Sequence, residues 1–140
     1  MAHPDFDRLL AELLPFAERM LLQYGEFYPF ANSMSLVGEI RDVGGWDGNE
    51  HPSSPDLIRF LVDGLRHQAE LGIIRAYGIC LNVRARKSED ARMTDAICCR
   101  LEHVNGEAVA VFIPYHKTPS TEVFYGNLWA NRSKAEVFIY

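Results

Sequence analysis

Three places in the chain gather side chains that could do chemistry. Tyr115-His116-Lys117 sets a phenol, an imidazole and an amine in a row, all types that move protons. The segment reads as the end of a strand, where consecutive side chains alternate faces, so the three converge only if Pro114 bends the backbone. A strand end with polar exit residues is the simpler reading. The stretch from Trp46 to His51 offers Asp47, Asn49, Glu50 and His51 as ligands. Asp47-Gly48-Asn49 begins like a calcium loop, but such a loop needs Gly at its sixth position and Glu at its twelfth. Counted from Asp47, those positions hold Pro52 and Ile58, so the spacing fails and a solvated turn explains the composition. Trp46 is either a lid packed on its own domain or an anchor for a partner, and the lid is preferred because large aromatics are mostly buried.

Cys80, Cys98 and Cys99 form the third group, with His103 or His116 as possible bases. None stands in a nucleophile motif, and adjacent Cys98 and Cys99 point to opposite faces of a strand, which zinc ligation does not use. All three lie in apolar runs and read as buried, reduced thiols. Two aromatic-proline segments, Glu26-Phe27-Tyr28-Pro29-Phe30 and Phe112-Ile113-Pro114-Tyr115, could line a common apolar pocket or could be core edges whose prolines stop further pairing. The second is preferred. If there is a ligand site, its residues are Tyr28, Trp46, Tyr115 and His116. Phosphate loop, nucleophile elbow and metalloprotease motif are all missing, so no catalytic residue, metal ligand or cofactor is assigned.

The bulk properties narrow the partners. At 140 residues the chain reads as one domain, residues 1–140. With 48% hydrophobic and 24% charged residues it has the make-up of an ordinary globular domain. A net charge of −5 argues against nucleic acid or an anionic membrane as partner. The basic cluster Arg84, Arg86 and Lys87 is followed at once by Glu89 and Asp90, as at a solvated hairpin end. An odd number of cysteines, no signal-peptide layout and no apolar run of membrane length lead to a cytoplasmic expectation.

Periodicity supplies the elements that must position these groups. Residues 5–24 carry one apolar stripe at helical spacing, with Pro15 inside it and Gly25 placed as a left-handed cap. Leu14 would cap poorly, so a kinked continuous helix is expected. Pro29 puts its segment at an edge or leads it into a strand, and residues 35–43 read as a strand. Ser54-Pro55-Asp56 opens a second helix that closes at Gly72. The period then drops to two. Strands follow to residue 85, on both sides of Asn105-Gly106, at 121–129 and at 135–140.

Asn-Gly suits a two-residue type I′ turn, which pairs Glu102 with Val109, Arg100 with Val111 and Cys98 with Ile113. Pairing Arg86 with Ala91 sets Gly78 against Cys99 and Cys80 against Ile97. One sheet face then gathers Ala76, Gly78, Cys80, Cys99, Ala108 and Ala110, small enough for a helix to approach closely. The other carries Tyr77, Ile79, Leu81, Val109, Val111 and Ile113, too apolar to meet water, with Arg100 and Glu102 near its rim. The expected class is α+β, an antiparallel sheet of about five strands with two helices, in the order α-β-(β)-α-β-β-β-β.

Gly25 to Ala31 together with Phe112 to Tyr115 resembles a pattern in small uncharacterised bacterial proteins of similar length. That resemblance implies a bacterial cytoplasmic source and no activity. The element order is similar to profilin-like and roadblock-like domains and to secretion-chaperone-like folds. The expected function is a non-catalytic binding or protein-interaction module, immunity- or chaperone-like, working as a homodimer or with a protein partner. Apolar Val137-Phe138-Ile139-Tyr140 is expected to dock in its own sheet or in that interface. The alternative is a small enzyme or small-ligand binder using Tyr28, Trp46, Tyr115 and His116.

Overall fold

The apolar stripe of residues 5–24 becomes α1 (Pro4–Tyr24), which runs through Pro15 without a break. His3 caps its start, Nδ1 accepting the Asp5 N–H at 3.0 Å, and Gly25 ends it at φ 74° with its N–H on the Leu21 carbonyl. The computed structural model describes residues 3–43 and 54–139. Trp46 and the other candidate ligands between it and His51 lie outside the described residues.

The second helix, α2, spans Ser54–Glu70. The strands are β1 (Phe30–Ser35), β2 (Ile40–Val43), β3 (Ile74–Ala85), β4 (Thr94–His103), β5 (Ala108–Lys117), β6 (Val123–Tyr125) and β7 (Trp129–Arg132). All pair antiparallel in the order β2-β1-β3-β4-β5-β6, and β7 shares the outer edge of β5 with β6. This is the α+β class expected, with a seven-stranded sheet in place of about five. Two expected strands are divided. Gly38, at φ 89°, turns the chain between β1 and β2, and residues 126–128 separate β6 from β7. Residues 136–138 form a bend, not a final strand.

One helix covers each face. α1 packs Phe6, Leu9, Leu13 and Leu21 on Met34, Ala76, Cys80, Cys99 and Leu101. α2 packs Leu61, Leu65 and Ala69 on Tyr77, Ile79 and Leu81, where Val137 and Phe138 complete the layer. The bulky face is therefore covered by this same chain. Gly78 sets how close α1 can come: a Cβ there would lie 2.6 Å from Leu13 Cδ1 and 2.9 Å from Leu101 Cδ2.

The hairpin register differs from the expected one. Glu102 pairs with Ala108, Arg100 with Ala110 and Cys98 with Phe112. His103 bonds Glu107 through its N–H, and the loop holds Val104, Asn105 and Gly106, the last at φ 100°. This is a three-residue turn with glycine in the left-handed position, one residue wider than the type I′ turn. Asn105 favours it locally, its Oδ1 accepting the Glu107 N–H at 2.8 Å. The extra residue flips β5, so Val109, Val111 and Ile113 lie under α1, while Ala108 and Ala110 leave the small-residue face. Between β3 and β4 the register is shifted by two. Gly78 meets Leu101 and Cys80 meets Cys99, but an even shift keeps every side chain on its expected face.

Candidate functional site

Two regions gather groups that could recognise something. The first is a cavity of about 430 Å³ between the end of α1, the segment after it and β3, lined by Met20, Tyr24, Glu26, Tyr28 and Asn82 among others. Tyr28 therefore borders a cavity. Tyr115 reaches the same neighbourhood indirectly, its hydroxyl donating to Asn82 Oδ1 at 2.6 Å. Burial raises the Tyr115 hydroxyl above its ordinary pKa and nearby Asp95 adds to this, so the group stays a donor at neutral pH. His116 is not brought to this cavity. As the next residue on β5 it takes the opposite face and stacks on Phe124, ring centroids 5.4 Å apart.

A second cavity, about 480 Å³, lies beside α1 near Pro15, Phe16, Arg19, Asn32 and Asp42. Among the described residues Asn32 Oδ1 has no hydrogen-bond partner, but the residue is only 1% exposed. The oxygen lies 3.1 Å from where a Gly78 Cβ would stand, inside the α1–sheet contact. It is sealed off from anything entering the cavity.

The other region is the end of the sheet where the β1–β2 turn, the α2–β3 connection and the β4–β5 turn come together. Beneath these loops lies a polar cluster that sequence reasoning missed. Asp5, on the first turn of α1, receives Arg75 at both oxygens, Nε to Oδ2 at 3.0 Å and Nη2 to Oδ1 at 3.1 Å. His103 Nε2 lies 2.9 Å from the same Oδ2, and the His3 and His103 rings stack at 3.9 Å. Burial alone would raise the Asp5 carboxyl. Hydrogen bonds from His103 and Arg75, with the charges of Arg75 and His3, overcome it and hold the group below the ordinary carboxylate range.

His3, Asp5 and His103 place three ligand atoms within 4.8 Å of one another, which invites a metal reading. The donor pattern opposes it. His103 Nδ1 accepts the Asn105 N–H at 3.1 Å, so the network puts the ring hydrogen on Nε2, facing Asp5. A metal bound at Nε2 would need a hydrogen on Nδ1, where a donor already points. His3 Nδ1 is occupied by its capping bond, and both Asp5 oxygens face the Arg75 guanidinium. The cluster is a lock between α1, β3 and β4. His3-Pro4-Asp5 could have revealed the helix cap, but nothing in the sequence joins it to residues 70 and 98 positions away.

Above the lock the loops present apolar side chains to solvent. Leu36, Val37, Leu71, Ile73 and Val104 are 49% to 80% exposed. Strand pairing sets their loops side by side: Ser35 pairs with Ile74, and the Val104 N–H bonds the Arg75 carbonyl at 2.8 Å. Arg75 Nη1 also holds the Leu36 carbonyl at 3.1 Å, and Arg8 holds that of Gly38 at 2.8 Å. Of the loops that carry these groups, the β1–β2 turn is thus pinned by two arginines.

A third polar feature lies on the α2 face. Glu102 is 1% exposed, not at a rim as its position in the strand pattern implied. Its carboxylate accepts the N–H groups of Glu136, Val137 and Phe138 at 2.6, 3.1 and 2.5 Å, and the Tyr77 hydroxyl at 3.0 Å. Successive backbone N–H groups around an anion form a nest, which compensates the carboxylate for its lost water. Burial raises the Tyr77 hydroxyl strongly and the Glu102 charge adds to it, so Tyr77 remains a donor.

Compared with family models, curated proteins and solved structures, the chain matches none. Among the described residues no helix is long and apolar enough to cross a membrane.

Proposed function

We propose that the chain is a non-catalytic protein-interaction module of the cytoplasm, immunity- or chaperone-like in class, which pairs with a second copy of itself through the turn end of its sheet. The observation that carries this reading is the row Leu36, Val37, Leu71, Ile73 and Val104, five large apolar side chains open to water on adjacent loops. Scattered apolar residues are normal on a surface, whereas a contiguous row marks a contact. A self-complementary apolar patch suits a two-fold contact, in which the same surface is used on both copies. Each side chain would contribute at most about 1.5–3 kcal/mol on burial, before the cost of association. The arginine contacts beneath hold the β1–β2 turn in place, so little ordering of that turn is needed on binding. Sedimentation at concentrations on the order of tens of micromolar tests this. A dimer that Val37→Glu and Ile73→Glu convert to monomer is expected. A monomeric parent protein would overturn the self-pairing.

A second reading rests on the cavity beside Tyr28. Its volume, about 430 Å³, falls within the range of small-molecule sites, and the Tyr115 hydroxyl fixes the Asn82 amide at its wall. On this reading the chain is a small-ligand binder or small enzyme. Native mass spectrometry of protein purified without denaturation would show a bound small molecule that Asn82→Ala and Tyr28→Ala lose. Protein without added mass, and unchanged by those substitutions, counts against it.

A further inference from the structure

Cys80 and Cys99 stand directly opposite each other on β3 and β4, with 3.8 Å between their sulfurs and both side chains fully buried. The register here runs without a bulge from Ala76–His103 to Ala85–Thr94. Along β4 the Val104 N–H points to β3, bonding the Arg75 carbonyl, and the His103 N–H points to β5, bonding the Glu107 carbonyl, so the Cys99 N–H points to β5 and away from Cys80. Hydrogen-bonded and non-hydrogen-bonded pairs alternate along an antiparallel ladder, so Cys80 and Cys99 form a non-hydrogen-bonded pair, with Cα atoms about 4.5 Å apart. That separation falls inside the range of roughly 4.4–6.8 Å a disulfide spans. The sulfurs are in contact and unbonded.

We infer that β3 and β4 carry a latent dithiol, which a peroxide converts in place to a cross-strand disulfide between Cys80 and Cys99. In the first step one sulfur takes an oxygen from hydrogen peroxide to give a sulfenic acid, and water leaves. In the second, the other thiol attacks that sulfur, the S–O bond breaks, and a second water leaves. Two thiols are oxidised, one peroxide is reduced, and no other reactant is needed. Cys98 takes no part, because it points to the α2 face, where burial pushes its thiol up to about 12.

Access governs the rate. Both sulfurs lie under α1, and burial raises the Cys80 thiol well above its ordinary value, so the closed molecule reacts slowly. Loosening of α1 from the sheet exposes both together. The dithiol then records that opening as a covalent bond, which fixes the register of the two central strands.

The test uses Cys98→Ser protein, which keeps both members of the pair. It is treated with hydrogen peroxide alone and with urea below the unfolding midpoint. Expected are a slow reaction in buffer, acceleration in urea, an intact mass lower by two hydrogens and a non-reduced digest peptide joining Cys80 to Cys99. The oxidised form should also unfold at higher urea, and a reductant should reverse the change. Oxygen addition at either cysteine without the linked peptide would overturn the inference. So would a wild-type linkage running through Cys98, or no linkage after the urea treatment.

Discussion

Arg75 grips Asp5 across 70 residues of sequence, with one nitrogen on each carboxylate oxygen. The pair ties the first turn of α1 to the first residues of β3, and through His103 to the end of β4. Bidentate geometry and burial of the carboxylate make this more than a surface ion pair. Asp5→Asn is expected to lower stability by about 2–3 kcal/mol in urea unfolding, since it leaves the guanidinium half-buried without its partner charge. Arg75→Lys should cost less, keeping the charge and losing the fork.

The same pair sets an acid limit. The native Asp5 carboxyl lies below its unfolded value of about 3.9, so its contribution is complete above that pH and is lost as pH falls through the lowered native value. Urea midpoints of the parent and Asp5→Asn proteins should therefore converge in acid. Parallel curves down to the acid transition would show that Asp5 is not the group responsible.

Gly78 is required by contact, not by backbone angle. A methyl group there would press on Leu13 and Leu101 from opposite elements, and both are buried. Gly78→Ala should cost about 1–3 kcal/mol, the usual penalty for overpacking a filled core. Pairing it with Leu13→Ala should recover part of the loss, and a double-mutant cycle reads the coupling.

Glu102→Gln replaces an acceptor-only group by an amide, one end of which is itself a donor facing N–H groups. The expected cost is about 3 kcal/mol. Hydrogen exchange locates it: the amides of Glu136, Val137 and Phe138 should lose protection before those of β3 and β4. Tyr77→Phe removes one donor out of four and should cost about 1 kcal/mol.

At Gly106 the requirement is conformational, with φ 100° and open space around the position of a Cβ. Gly106→Ala should destabilise by about 1–2 kcal/mol through backbone strain alone. Thermal unfolding with an otherwise unchanged spectrum would confirm that the fold persists.

The sequence carried much of this fold, and its silences have physical causes. The period of two along β3 and β4 assigned their faces correctly even with the register two residues off, because face depends only on parity. In β5 the error was a single residue and every side chain changed sides. Asn105-Gly106 fits both a two-residue and a three-residue turn, and bonds from Asn105 to His103 and Glu107 decide between them. Of the candidate site, Tyr28 and Tyr115 approach one cavity through Asn82, whereas His116 faces away by strand alternation. The lock of His3, Asp5, Arg75 and His103 had no local signature, since each member looks ordinary until tertiary contacts join them.

The nest around Glu102 also ties a buried charge to the closing of the core. A bare carboxylate keeps its water as long as it can, so the α2 face cannot dry out at Glu102 until the backbone of residues 136–138 is there to replace that water. Val137 and Phe138 arrive on the same short stretch and bring the apolar cover with them. Desolvation of the charge and closure of that half of the core are therefore coupled, since one short stretch supplies both.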